Sequence, residues 1–230
     1  MSDETSPLST PANPGPASLI LTLGIIAMMS GLLVVTTYQV TKPIIAANRQ
    51  EALEKAVFSV LPEATSKVNF RLDEEGLRRL EGDEMGQANL FAGYDETGEL
   101  AGIALEGAAR GYQDVVRILY GYSPESECVI GMTVMESTET PGLGDKVETD
   151  PDFLANFECL EARLNEAGTA MRNEIVTVKS GEKTEPWQID GISGATVTSQ
   201  AIGTAIRRSS REMLPLIEKN KESLKRTIDE

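Results

Sequence analysis

The sequence predicts an α+β protein: one apolar N-terminal helix, then a single domain with a mostly antiparallel sheet and flanking helices. Three observations predict it. The stretch from Ser18 to Tyr38 holds no charged residue. From Asn89 to Met135, β-rich runs follow one another with turn residues between them. Helical periodicity flanks those runs without the regular strand–helix alternation that a doubly wound parallel sheet needs.

Taken in order, residues 1–17 are rich in Ser, Pro, Asp and Glu and read as a disordered tail. Residues 18–38 (SLILTLGIIAMMSGLLVVTTY) reach about 31 Å as a helix, enough to cross a lipid bilayer. A buried soluble helix is the bland alternative, but such helices seldom stay uncharged for this length. A cleaved signal peptide is the other; the segment lacks a basic leading flank, and Ile45-Ala46-Ala47 is a poor cleavage site. The reading is an uncleaved transmembrane anchor with Tyr38 at the interface. Lys42, Arg49 and Lys55 follow the anchor and no basic residue precedes it. Charge alone would therefore leave the C-terminal part in the cytoplasm.

Residues 39–62 form a juxtamembrane amphipathic helix, with Leu53, Ala56, Val57, Val60 and Leu61 at helical spacing and Pro62 closing it. Residues 63–215 make the globular domain. Within it, LFAGYD and AGIALEG flank a Thr97-Gly98 turn as a hairpin, and Gln113–Tyr122 and Cys128–Met135 supply further strands. Pro151 to Leu164 looks helical, with Phe153, Leu154, Phe157 and Leu160 on one side. Glu174–Lys179 reads as a short strand. A last helix opens at Thr198 or Ser199 and carries Ala201, Ile202, Ala205 and Ile206. Residues 216–230 are a charged tail.

Composition narrows the chemistry. The net charge is −15, from 36 acidic against 21 basic residues, which argues against a nucleic-acid partner. There is no histidine, so the commonest general base and transition-metal ligand are missing. The two cysteines, Cys128 and Cys159, lack any metal or iron–sulfur spacing. They fit a disulfide or two free thiols equally well. Redox work in this chain would need an organic carrier.

Two loops suit neither core nor solvent alone. Glu139-Thr140-Pro141-Gly142-Leu143-Gly144-Asp145-Lys146 follows a strand and is tight enough to bring backbone close to a ligand, although Pro-Gly is also ordinary turn punctuation. Asp190-Gly191-Ile192-Ser193-Gly194-Ala195-Thr196-Val197-Thr198-Ser199 opens the last helix, whose free N–H groups favour a phosphate. A plain capped helix is the bland reading there.

DGISGATVTS resembles the flavinylation motif of membrane FMN-binding domains, Asp-x-x-Ser/Thr-Gly-Ala-Thr. The resemblance implies a phosphoester between FMN and Thr196, installed by a flavin transferase, with Asp190, Ser193, Gly194 and Ala195 on the remaining fixed positions. ETPGLGDK is similar to the loop that lies near the flavin in that family. Glu139, Thr140, Gly142, Leu143, Gly144 and Lys146, with Thr198, are thereby implied as cofactor-binding. The Gly-Asp-Lys ending resembles the G subunit of the Rnf complex more than the C subunit of Na⁺-translocating NADH:quinone oxidoreductase, which stays the runner-up.

The resemblance implies an electron relay among the subunits of a membrane complex that couples ferredoxin/NAD electron transfer to Na⁺ or H⁺ movement. It implies a bacterial cytoplasmic membrane location, with the flavin domain on the outer, periplasmic face. That conflicts with the charge rule and is followed here, because Glu51 and Glu54 interleave with the basic residues. Direct NAD binding is not expected, in keeping with the lack of a G-x-G-x-x-G fingerprint. A cofactor-free membrane scaffold is the alternative from another class.

Overall fold

A computed structural model of the chain describes residues 15–73 and 75–225. Most of the expected N-terminal tail, up to residue 14, and residues 226–230 of the expected C-terminal tail lie outside them. The chain divides into two compact units, one ending at Arg49 and one beginning at Gln50.

Helix α1 spans Pro16–Val60, with Pro43 inside it. Its N-terminal part is long and apolar enough to cross a membrane. Large apolar side chains from Leu19 to Val40 are exposed, as a lipid-facing helix requires. The Thr22 hydroxyl donates to the Ser18 carbonyl at 2.8 Å and the Thr41 hydroxyl to the Thr37 carbonyl at 2.9 Å. Both polar groups are thus satisfied within the helix.

The second unit is built on a seven-stranded antiparallel sheet in the order β2-β1-β3-β4-β5-β6-β7. Its strands are β1 (Ser66–Asp73), β2 (Gly76–Arg79), β3 (Leu90–Tyr94), β4 (Leu100–Arg110), β5 (Val115–Ser123), β6 (Cys128–Glu136) and β7 (Leu160–Glu161). The β3–β4 turn falls where the sequence indicates, with the Asp95 carboxylate accepting the N–H groups of Thr97 and Glu99. A separate parallel pair joins β8 (Val176–Val178) to β9 (Gln188–Asp190). The fold class is α+β.

Alternation with period two sorts the sheet into two faces. Ile103 and Leu105 of β4 and Ile118, Tyr120 and Tyr122 of β5 enter the larger core with α3 (Thr196–Lys225). Their neighbours Ala104 and Leu119 enter a second cluster with Val57, Val60 and Leu61 from the end of α1. The close approach of that helix end requires glycine. A Cβ on Gly121 would meet the Val60 carbonyl oxygen inside contact distance, and one on Gly131 would lie 2.9 Å from Val60 Cα. On the other face, tyrosines tie down α3. The Tyr94 hydroxyl donates to the Leu224 carbonyl at 2.7 Å, and Tyr120 bonds Ser209 at 2.9 Å.

Three expectations are corrected. Residues 216–225 are not a tail but the end of α3, with Ile217 and Leu224 buried. Pro151–Leu164 is not one helix. It is a four-residue helix α2 (Pro151–Leu154), a 3-10 turn over Ala155–Phe157, and then β7. Leu160 pairs with Val129 on β6, and Cys159 is disulfide-bonded to Cys128 with Cα atoms 5.0 Å apart. These long-range ties override the local periodicity. The last helix starts at Thr196, two residues ahead of the expected Thr198, for reasons that lie in the site itself.

Candidate functional site

The site is assembled from the end of β9, the turn into α3, and the loop after β6. Asp190 closes β9. Its N–H donates to Asn156 Oδ1 at 2.9 Å, its carbonyl accepts from Asn156 Nδ2 at 3.2 Å, and its carboxylate accepts the Gly181 N–H at 2.8 Å. A tight turn follows, in which Ala195 N–H donates to the Ile192 carbonyl at 3.0 Å. Gly194 makes that turn possible with φ +87°, a region that L-residues avoid. The chain enters α3 at once, so neither Thr198 nor Ser199 is free to cap it.

Those two hydroxyls are used elsewhere. Thr198 is buried and donates to Glu139 Oε2 at 2.5 Å. Ser199 Oγ accepts the Ile192 N–H at 3.1 Å and donates to the Ala195 carbonyl at 3.0 Å, folding the turn back onto the helix. Ser193, Gly194, Thr196 and Val197 are exposed, while Ala195 is buried. The helix ladder begins with Ser199 N–H to the Ala195 carbonyl, leaving the N–H groups of Thr196, Val197 and Thr198 ahead of its first bond.

The second loop meets the first through Glu139. Its Oε1 accepts the Gln113 N–H at 3.0 Å, from the β4–β5 turn. Gly144 packs so closely that a Cβ there would lie 2.6 Å from Glu139 Cβ and 3.1 Å from Thr198 Oγ1. The loop itself is closed by Leu143 and Gly144 N–H groups donating to the Thr140 carbonyl, at 3.1 and 3.0 Å. Thr140 Oγ1 accepts from Gln113 Nε2 at 2.9 Å. Burial pushes the Glu139 carboxyl up, but the Thr198 hydroxyl and the N–H groups of Gln113, Tyr112 and Asp114 outweigh it and hold Glu139 below the usual carboxylate range.

The structure therefore brings both glycine loops together. Gly142 and Leu143 sit exposed at the tip of one, and Val197 is exposed beside Thr196 on the other. Lys146 lies in a 3-10 turn (Gly144–Glu148) and lines a cleft of about 630 Å³ with Asp150, Asp152, Asp190 and Ser193. Two residues carrying the site escaped the sequence reading: Asn156 and Gln113. Asn156 is a buried amide inside the apolar run FLANFECL, and an unexplained polar residue in such a run is the one signal that pointed to it.

Residues 111–210 match the family model described as FMN-binding domain, and residues 21–60 match the RnfG N-terminal region. The G subunit of the ion-translocating oxidoreductase complex of Methanosarcina acetivorans is 30% identical over 190 residues, covering 82% of this chain and 89% of the relative. The chain belongs to the family of G subunits of ion-translocating oxidoreductase complexes. The G subunit of Haemophilus influenzae strain PittEE is 32% identical, covering 84% of this chain and 87% of its own length. Among solved structures, the C subunit of the Na⁺-translocating NADH-quinone reductase from Parabacteroides distasonis superposes with a TM-score of 0.56 at 18% identity, covering 74% of this chain and 94% of that one. That likeness shows the fold alone.

An FMN-binding domain of this G-subunit family needs a place for a flavin phosphate. The turn into α3 fits it. Thr196 is exposed, helix N–H groups precede the first ladder bond, and a Cβ built on Gly194 would meet no atom within 4 Å beyond its chain neighbours. Tyr112, Leu143 and Val197 are exposed side chains on the three segments that meet at Glu139.

Proposed function

We propose that this chain is the membrane-anchored electron-relay subunit of an Rnf-type complex, holding FMN through a phosphoester on Thr196. The observation that carries the assignment is the contrast between two threonines. Thr196 is exposed at the start of α3, whereas the Thr198 hydroxyl is buried and donated to Glu139.

When bound, FMN supplies one- and two-electron exchange, which lets carriers of different stoichiometry be linked. The chain's own residues tether and shape. Thr196 Oγ would form the bond to the flavin-side phosphorus of a phosphoanhydride donor as the anhydride bond breaks and the other phosphate leaves. The hydroxyl proton would pass to the flavin transferase, with no change of oxidation state. The N-terminus of α3 favours the phosphate charge that remains. Leu143 and Val197 offer apolar surface beside the tether, with Thr140, Gly142 and Gly144 shaping the loop and Lys146 adding a positive charge nearby. Asp190, Ser193, Gly194 and Ala195 set the turn that presents Thr196.

The partners in this reading are the other subunits of the complex, which relay electrons between ferredoxin and NAD and couple them to Na⁺ or H⁺ movement. Neither nucleic acid nor NAD binds directly. The flavin domain faces the outer side of the cytoplasmic membrane. The pairing of Cys128 with Cys159, the chain's two cysteines, supports that side, because disulfides persist in oxidising compartments.

The test is denatured protein, co-produced with flavin transferase, viewed on a gel under ultraviolet light. Fluorescence is expected in the wild type and in Thr198→Ala, and none in Thr196→Ala. The tryptic peptide 184–207 should gain the mass of FMN less water. Fluorescence retained in Thr196→Ala would overturn the assignment.

A further inference from the structure

The modification turn is held at its entry by a side chain that no motif includes. Asn156 is only 4% exposed, yet its amide pairs with both the N–H and the carbonyl of Asp190, at 2.9 and 3.2 Å. One edge of β9 is paired with β8; at Asp190 the carboxamide offers a donor and an acceptor as a further strand would. Asn156 is itself fixed. Its Nδ2 also donates to the Phe153 carbonyl at 2.9 Å, and Lys183 Nζ donates to its Oδ1 at 2.9 Å. The 3-10 turn that carries Asn156 is followed by Cys159, whose disulfide ties it to the start of β6.

We infer that Asn156, braced by Lys183, is a positioning residue for the Thr196 turn: it sets where β9 ends and so the conformation in which Thr196 meets the flavin-transferring enzyme. The inference rests on the Thr196 reading above. Asn156 touches neither Thr196 nor the incoming phosphorus, and acts through Asp190.

The test uses the full chain in detergent, purified flavin transferase and its flavin phosphoanhydride donor, with attachment followed by in-gel fluorescence. Asn156→Asp keeps the shape but turns a carboxylate toward the Asp190 carbonyl. Among the described residues, the charged and polar groups bonded to the Asn156 side chain are Lys183 Nζ, the Asp190 N–H, and the carbonyls of Asp152, Phe153 and Asp190; the Asp190 carboxylate is turned to Gly181. Attachment in Asn156→Asp is expected to be roughly tenfold slower than in wild type at pH 8, as one buried hydrogen bond lost implies. The melting temperature of the variant is read beside the rate: slower attachment well below melting supports the positioning role, and a wild-type rate at pH 8 overturns the inference. Should Asn156→Asp not fold, the exposed Lys183→Met carries the test: slower attachment with an unchanged melting temperature supports the brace, and a wild-type rate overturns it. Wild-type protein that never becomes fluorescent defeats the Thr196 reading instead, so the two failures are distinct.

Discussion

Glu139→Gln probes the junction of the two loops most directly. The carboxylate accepts from Thr198 Oγ1 at 2.5 Å and from Gln113 N–H at 3.0 Å, and the residue is 7% exposed. An amide of the same shape keeps one acceptor and turns an NH₂ toward the other donor. One charge-assisted bond is lost, at about 1.5–3 kcal/mol, and the other becomes a neutral bond worth about 1 kcal/mol less. The expected loss is about 2.5–4 kcal/mol, or a fall of about 5–16 °C in melting temperature for a domain of this size. Trp187, the chain's single tryptophan, sits next to β9, and its fluorescence reports the transition. Glu139 is depressed in the folded state, so its contribution is complete above the ordinary glutamate value of about 4.3 and disappears as pH falls through the folded value. The gap between wild type and Glu139→Gln should therefore be full at pH 7 and close as the pH drops below about 4. Pairing the change with Thr198→Val in a double-mutant cycle should return a coupling well above the roughly 0.5 kcal/mol seen for independent sites. Equal melting at pH 7, a gap that widens in acid, or simple additivity would refute the reasoning.

The other expectations concern the frame. Gly121→Ala places a methyl on the Val60 carbonyl and should cost about 1–3 kcal/mol by overpacking, read as an earlier thermal transition; an unchanged midpoint would show that the end of α1 does not seat as described. Replacing Cys128 and Cys159 together by Ser should cost about 3–4 kcal/mol, from a cross-link between cysteines 31 apart in sequence. In intact cells, a membrane-impermeant maleimide should label the wild-type cysteines only after reduction, and labelling without reductant would remove the support for an oxidising compartment.

What the sequence made legible follows from how local each signal is. The apolar anchor, the Thr97-Gly98 turn and the strands around Gln113–Tyr122 and Cys128–Met135 depend on neighbouring residues, and all four are present. Pro151–Leu164 misled because its apolar spacing suits a helix equally well. Only the pairing of Leu160 with Val129, far away in sequence, decides it. Strand β1 alternates, with Val68, Phe70 and Leu72 separated by Asn69 and Arg71, and it pairs with β3 on one side; β2 is four residues long and pairs with β1 alone. The start of α3 was misplaced because Thr198 and Ser199 are the residues a capping rule selects. Their hydroxyls are instead drawn away by Glu139 and by Ile192.

The same distinction explains the architecture of the site. DGISGAT is readable because small residues must sit together for the chain to turn at Gly194 and leave Thr196 open. That turn is closed by its own bonds among Ile192, Ala195 and Ser199. Its two ends are also fixed from outside by buried polar side chains: Asn156 grips the backbone of Asp190 before the turn, and Glu139 grips the hydroxyl of Thr198 after it. Each grip reaches across a long separation in sequence, 34 residues in one case and 59 in the other, so neither leaves a local pattern. The proposed tether at Thr196 would place a bulky group on the exposed segment between two such braces. Neither brace contributes a side chain that would crowd such a group, and the exposed residues there are small or beta-branched: Ser193, Gly194, Thr196 and Val197.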